Sequence, residues 1–143
     1  MKRTIALALT LVLMLSSMLI LSACGKSAKL IFTDYKTQEI AKEYYSDDKN
    51  DVAMINEIMD YIENAQDVDD TVISDKTPTY TMILKDPKDE KYDITFSIYF
   101  IDDRVVYHMH TFETDNKSTT NSEYSAQIAD ITATQFEDKY ISQ

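Results

Sequence analysis

The sequence predicts an α+β domain, in which an antiparallel sheet of about four to five strands packs against one amphipathic helix and a short helix closes the C-terminus. Three observations carry this expectation. Val52, Ile55, Ile58, Met59, Ile62 and Ala65 recur at three- and four-residue spacing and so share one helical face. Tyr80, Met82 and Leu84, then Tyr92, Ile94, Phe96, Ile98 and Phe100, recur at every second residue, the period of half-buried strands. The chain beyond its hydrophobic leader, residues 29–143, is long enough for one core and one domain.

In chain order, KLIFT at 29–33 reads as a first strand. Residues 34–45 fit two periods, because Ile40 and Tyr44 are four apart while Ile40, Lys42 and Tyr44 alternate; an extended continuation is preferred. The main helix is expected over about 49–66, with Asp48 as N-cap and acids in the first turn favoured by the helix dipole. A polar, acidic stretch at 67–77 follows, and Pro78 then opens a meander over 78–112. Its parts are a strand at 79–85, a turn at 86–90, a strand at 92–101 and a strand at 104–112. Asp102 and Asp103 join the last two without glycine, since aspartate tolerates unusual turn geometry better than most residues. Residues 114–122 read as a solvated loop and 123–129 as a further strand. Thr132 and Gln135 have the spacing of a capping box that opens a helix carrying Phe136 and Tyr140.

The N-terminus carries an address. Lys2 and Arg3 precede an apolar run over 5–20 broken only by Thr10, Ser16 and Ser17, the layout of a secretory signal peptide. A transmembrane anchor is the rival, because roughly 18 apolar residues just span a bilayer. The residues that follow, Leu21-Ser22-Ala23-Cys24, resemble the lipobox of bacterial lipoproteins. That resemblance implies cleavage after residues 1–23 and a covalent diacylglyceryl lipid on the sulfur of Cys24. It further implies a tether over 24–28 and residence at the extracytoplasmic face of a cell membrane. Two acyl chains suit a stable anchor, since each buried methylene contributes about 0.8 kcal/mol and one chain binds only marginally. Gly25, in place of aspartate, argues against inner-membrane retention in a two-membrane bacterium. The mature domain is similar to small YhfM-like domains of Gram-positive lipoproteins in its helix at 52–62, its Pro78-Thr79-Tyr80 opening, its strands to Phe112 and its end from Tyr124 onward. This second resemblance implies no activity and no site residues.

Composition narrows the function. Loss of residues 1–23 removes Lys2 and Arg3 and no acid, leaving 12 basic and 25 acidic side chains, a net −13. Such a domain is repelled by nucleic acid and anionic lipid headgroups, so a charged partner is expected to be a cationic protein, a cationic peptide or a metal ion. The charge also serves simply to keep an exported domain dispersed. Cys24 is the only cysteine, which leaves the mature fold no disulfide and no cysteine nucleophile. Gly25 is the only glycine, so a glycine-rich phosphate loop, a dinucleotide fingerprint and a nucleophile elbow are excluded in their ordinary forms. The run Asp47-Asp48-Lys49-Asn50-Asp51 likewise lacks the glycine of a helix-loop-helix calcium site.

The sharpest candidate site is His108-Met109-His110. Strand residues two apart share a face at about 6.5–7 Å, close enough for two imidazoles to hold one divalent metal. If Tyr107 and Met109 point inward instead, both histidines face water, free to ligate or idle. Asp69-Asp70, Asp102-Asp103 and Glu123 are candidates for carboxylate chemistry of a hydrolase, although one sequence shows neither convergence nor a shifted pKa. Ten tyrosines and no tryptophan suit either strands or a binding surface, with Tyr99 and Tyr107 the surface candidates if their faces turn outward. The leading expectation is a non-enzymatic, membrane-anchored protein- or peptide-binding module. A metal-binding lipoprotein using His108 and His110 is the alternative, and a hydrolase the third.

Overall fold

A computed structural model describes residues 29–85, 93–110 and 123–142. The leader, Cys24 and its tether, the turn at 86–90 and the loop at 114–122 lie outside the described residues. The elements are β1 (Lys29–Asp34), β2 (Ile40–Tyr45), α1 (Lys49–Glu63), β3 (Gln66–Val68), a 3-10 turn (Asp70–Val72), β4 (Tyr80–Lys85), β5 (Ile94–Ile101), β6 (Arg104–Met109), β7 (Tyr124–Thr132) and α2 (Ala133–Tyr140). Every strand pairing is antiparallel, and one sheet results with the order β2-β1-β4-β5-β6-β7-β3.

The α+β class, the meander β4 to β6 and the further strand β7 are as expected, but the sheet has seven strands rather than four or five. The difference arises at both edges. β2 runs from exposed Ile40 and Ala41 through partly buried residues to buried Tyr44 without clear alternation, and β3 is a three-residue strand held by pairing Gln66, Asp67 and Val68 to Gln127, Ala126 and Ser125. That pairing also ends the helix early: α1 stops at Glu63, with Asn64 as its C-cap, instead of running to 66.

The chain path follows from the need to cover two faces. From the β2 edge, α1 crosses one face of the sheet to reach β3, and both helices lie on that face. Ile55, Ile58, Met59 and Ile62 of α1 and Phe136 and Tyr140 of α2 bury against Leu30, Phe32, Met82, Phe96, Ile98 and Tyr107. Phe136 is the hinge of this core, with edge-on ring contacts to Phe32 at 6.1 Å and Phe100 at 6.4 Å. After β3 the chain returns over the opposite face, where Ile73 packs with Tyr99 and Val106, flanked by Val68, Val72 and Ile101.

Local chemistry sets the ends. The Asp48 side chain accepts from the backbone N–H groups of Asn50 and Asp51, as expected of an N-cap. The Thr132 hydroxyl accepts from Gln135 N at 3.2 Å while Gln135 Oε1 accepts from Thr132 N at 3.1 Å, completing the capping box. Asp102 and Asp103 adopt φ of 50° and 57°, the left-handed pair that a two-residue hairpin of this twist requires. Asp103 is held there by α2: its carboxylate accepts from Thr134 N at 3.0 Å and Thr134 Oγ1 at 2.9 Å, and its carbonyl accepts from Ala133 N at 2.9 Å.

Two substitutions separate core from cap. Phe136→Ala is expected to cost about 3–5 kcal/mol by emptying a fully buried ring site. Thr132→Ala is expected to cost about 1 kcal/mol by removing half of the capping box. Urea unfolding midpoints report both, and equal losses would contradict the assignment of the core to Phe136.

Candidate functional site

His108 and His110 share the sheet face opposite the helices, as their spacing implies, and their rings meet edge to face at 5.0 Å between centroids. Each also has a hydroxyl partner. Ser125 Oγ donates to Asp70 Oδ1 at 2.6 Å and lies 3.0 Å from His108 Nδ1, so the serine proton is already committed and Nδ1–H of His108 is the donor to Ser125. Ser97 Oγ lies 2.8 Å from His110 Nε2. β5, β6, β7 and the 3-10 turn after β3 thus contribute one residue or more each to a polar row running Ser97, His110, His108, Ser125, Asp70. Ser97 and Ser125 are the buried polar residues among those described, and this row satisfies both.

Burial, and next the adjacent His108, lower the His110 pKa below the usual imidazole value, with Glu123 opposing. The row does not follow the sequence nucleophile, base, carboxylate, because Asp70 bonds to Ser125 rather than to an imidazole, with the direct His108 Nδ1 to Asp70 separation at 3.9 Å. Among the described residues no group of three or more His, Cys, Asp and Glu side chains is gathered to hold a metal ion.

The carboxylate pairs do not converge. Asp102 and Asp103 form the β5-β6 turn at the far end of those strands from His108, and Asp103 is depressed in pKa chiefly by the backbone N–H of Thr134. Asp69 caps the 3-10 turn by accepting from Thr71 N at 2.9 Å, and of the pair only Asp70 reaches the row.

The tyrosines expected at a surface are covered. Tyr107 is 1% exposed and faces the helices, where its hydroxyl donates to Ile62 O at 3.1 Å; burial, then Tyr124, raises its pKa. Tyr99 does turn to the opposite face, but the return segment at Ile73 covers it to 9% exposure. Neither forms an open surface, because this sheet has apolar cover on both sides of its central strands.

The exposed large apolar side chains among the described residues lie elsewhere, at the β1-β2 hairpin: Tyr35 at 41% and Ile40 at 61%. This hairpin is tightly built. Asp34 Oδ1 accepts from Lys36 N at 2.9 Å and Thr37 N at 2.8 Å, Gln38 N donates to Asp34 O at 2.9 Å, and Asp34 N donates to Glu39 O at 2.9 Å. These donors, that of Thr37 first, hold the Asp34 carboxyl below its ordinary pKa. Gln38 sits at φ 60° and its side chain donates to Tyr35 O at 2.5 Å.

β2 is also the outer edge of the sheet. Near the tether end this edge is closed by α1, where Tyr45 N donates to Asp51 Oδ2 at 2.9 Å and Tyr45 O accepts from Asp48 N at 3.2 Å. Two residues further toward Ile40, at Glu43, no backbone bond from α1 is found among the described residues. A sequence signal was present in the isolated apolar residues of the polar stretch 34–43, but the dual periodicity there obscured it.

A shallow depression of about 200 Å³ beside β7, lined by Arg104, Gln127, Asp130 and Gln135 among others, is smaller than the roughly 300–1,000 Å³ of small-molecule sites. Comparison with protein-family models, with curated proteins and with solved structures finds no match to this chain.

The His110 environment predicts a pH dependence. A histidine whose folded pKa lies below its unfolded value binds more protons when unfolded, so stability falls as pH drops through the unfolded value of about 6.5 toward the folded one. The denaturation midpoint is expected to fall between pH 7.5 and 5.5 (~one unit either side of that value), and His110→Gln to flatten this part of the profile. An unchanged slope in His110→Gln would assign the acid sensitivity to other groups.

Proposed function

We propose that the protein is a lipoprotein held at the extracytoplasmic face of a cell membrane by a diacylglyceryl group on Cys24, and that its acidic α+β domain binds a protein or peptide partner there. The anchor rests on the lipobox resemblance of Leu21-Ser22-Ala23-Cys24. The binding reading rests on one observation: Tyr35 and Ile40 are both exposed, at 41% and 61%, at the β1-β2 hairpin, at the end of β1 away from the tether. A five-residue tether spans at most about 17 Å, and six strand residues add about 20 Å beyond it, so the hairpin has reach from the lipid attachment point. The net −13 of the mature chain favours a cationic partner.

A divalent metal at His108 and His110 is a second reading, favoured by their ring contact at 5.0 Å and by hydrogen bonds that use one nitrogen of each ring and leave His108 Nε2 and His110 Nδ1 for a cation.

Cys24→Ala is expected to abolish lipid labelling and release the protein from membranes; unchanged labelling would overturn the anchor. In cells, a photo-crosslinking residue at Ile40 is expected to capture one specific cationic partner, while one at Gln66 on the opposite sheet edge captures none. Equal capture from both positions would count against the hairpin. For the metal reading, Zn²⁺, Ni²⁺ or Cu²⁺ at about 100 times its dissociation constant would add about 2.7 kcal/mol and raise the melting midpoint by several degrees. That shift would vanish in the His108→Ala/His110→Ala double variant, and an unshifted parent protein would remove the reading.

A further inference from the structure

We infer that the outer edge of β2 receives an extended, basic segment of the partner as an added antiparallel or parallel strand. This deepens the binding reading above and rests on it. The first support is the state of the edge. Tyr45 turns both its N–H and its C=O outward, as its bonds to Asp51 and Asp48 show. Residues of an antiparallel ladder alternate between inward and outward bonding, so Glu43, two residues earlier and paired with Ile31, also points its N–H and C=O outward. There the described residues supply no helix turn or side chain to close it. Unpaired donors and acceptors on an edge strand are a template for another chain.

The second support is independent of the first. Ile40, the most exposed large apolar side chain among the described residues at 61%, stands at the end of this same edge, while Tyr35, in the turn before it, bonds through its N–H to Thr79 on the β4 side. The ladder shifts register between Phe32 and Thr33, so that Ile40 pairs with Thr33. An incoming strand therefore finds main-chain partners at Glu43 and apolar contacts at its end. The opposite edge offers less: β3 has three residues, two of them exposed polar ones.

Charge selects the occupant. From Asp34 to Asp51 six acids, Asp34, Glu39, Glu43, Asp47, Asp48 and Asp51, stand against Lys36, Lys42 and Lys49. Lys29 lies 3.8 Å from Glu43 and offsets part of this, yet the local balance keeps the sign of the whole domain. A second copy of the chain would bring the same acids to the edge, whereas a strand alternating lysine or arginine with β-branched residues meets both the charge and the pleat.

The test uses the mature lipidated chain, residues 24–143, in neutral phosphatidylcholine vesicles and three capped peptides, Lys-Val, Ser-Val and Glu-Val, each repeated four times. Binding is read by fluorescence anisotropy and the edge by amide hydrogen exchange at Glu43. The Lys-Val peptide is expected to bind at least about tenfold tighter than Ser-Val, with Glu-Val not binding, and to slow exchange at Glu43 by about tenfold or more. Glu43→Pro removes the outward N–H without touching the ladder to β1 and is expected to abolish binding, while Glu43→Gln, with the same loss of charge, keeps it. Circular dichroism of both variants verifies the fold. Equal binding by Glu43→Pro and Glu43→Gln, protection elsewhere than β2, or no binding of Lys-Val would overturn strand addition. A Glu43 amide already protected without peptide in a dimeric protein would overturn it too, by making a second copy the occupant. Specific capture from Ile40 in cells alongside any of these results would leave the broader binding reading standing, and loss of that capture would remove it.

Discussion

The constraint on which the rest of the structure depends is that the middles of β5 and β6 are buried on both faces. Phe96, Ile98, Val105 and Tyr107 are buried under the helices, and Ser97, Tyr99 and Val106 are buried on the other side. A sheet with one wet face needs a single layer of helices; this one needs cover on both. The chain supplies it from one connection, the passage from β2 to β4: α1 crosses the first face, β3 turns the chain at the far edge, and the segment through Ile73 returns across the second. The returning chain enters the sheet beside β1, which therefore lies between β2 and β4.

Two-sided burial also governs the polar groups. A serine at the centre of a covered sheet face costs free energy unless its hydroxyl is bonded. Ser97 and Ser125 meet this through His110, His108 and Asp70, and Asp70 belongs to the return segment itself. The polar row therefore fastens the cover to the sheet at the same time as Ile73 packs it down. In this sense the histidines are accounted for by the fold before any ligand is considered, whereas nothing in the packing requires an isoleucine as open as Ile40.

What the sequence revealed divides along the same line. The meander strands announced themselves because Tyr80, Met82, Leu84, Ile94, Phe96 and Ile98 answer to a single core, and the caps at Asp48 and Thr132 because their bonds are local. β3 was hidden, since three residues acquire strand geometry only from β7, some sixty residues later. The facing of Tyr107 was undetermined for a similar reason. His108 and His110 alternate with it in equally plausible parity, and the choice is made by Ile98 across the ladder and by the carbonyl of Ile62 on the helix. The two histidines were legible as neighbours, but Ser97, Ser125 and Asp70 come to them from three other elements. The open edge was the least legible, because exposure leaves no period in a sequence.

The absence of glycine from the described fold bears on that edge. Positive φ at Gln38, Asp102 and Asp103 costs each residue roughly 1–2 kcal/mol relative to an ordinary conformation, so each must be held by something. Asp102 lies 3.5 Å from Arg104, and Asp103 is held by the start of α2. Gln38 is held by Asp34 and by its own bond to Tyr35, whose N–H in turn donates to Thr79 O at 3.1 Å and ties the turn to the segment before β4. A hairpin that satisfies itself in this way has little freedom left to lose. Since ordering of loops and side chains is among the main costs of association, the same local bonds that replace glycine at Gln38 hold the backbone between Asp34 and Ile40 and would lower the cost of the proposed association there.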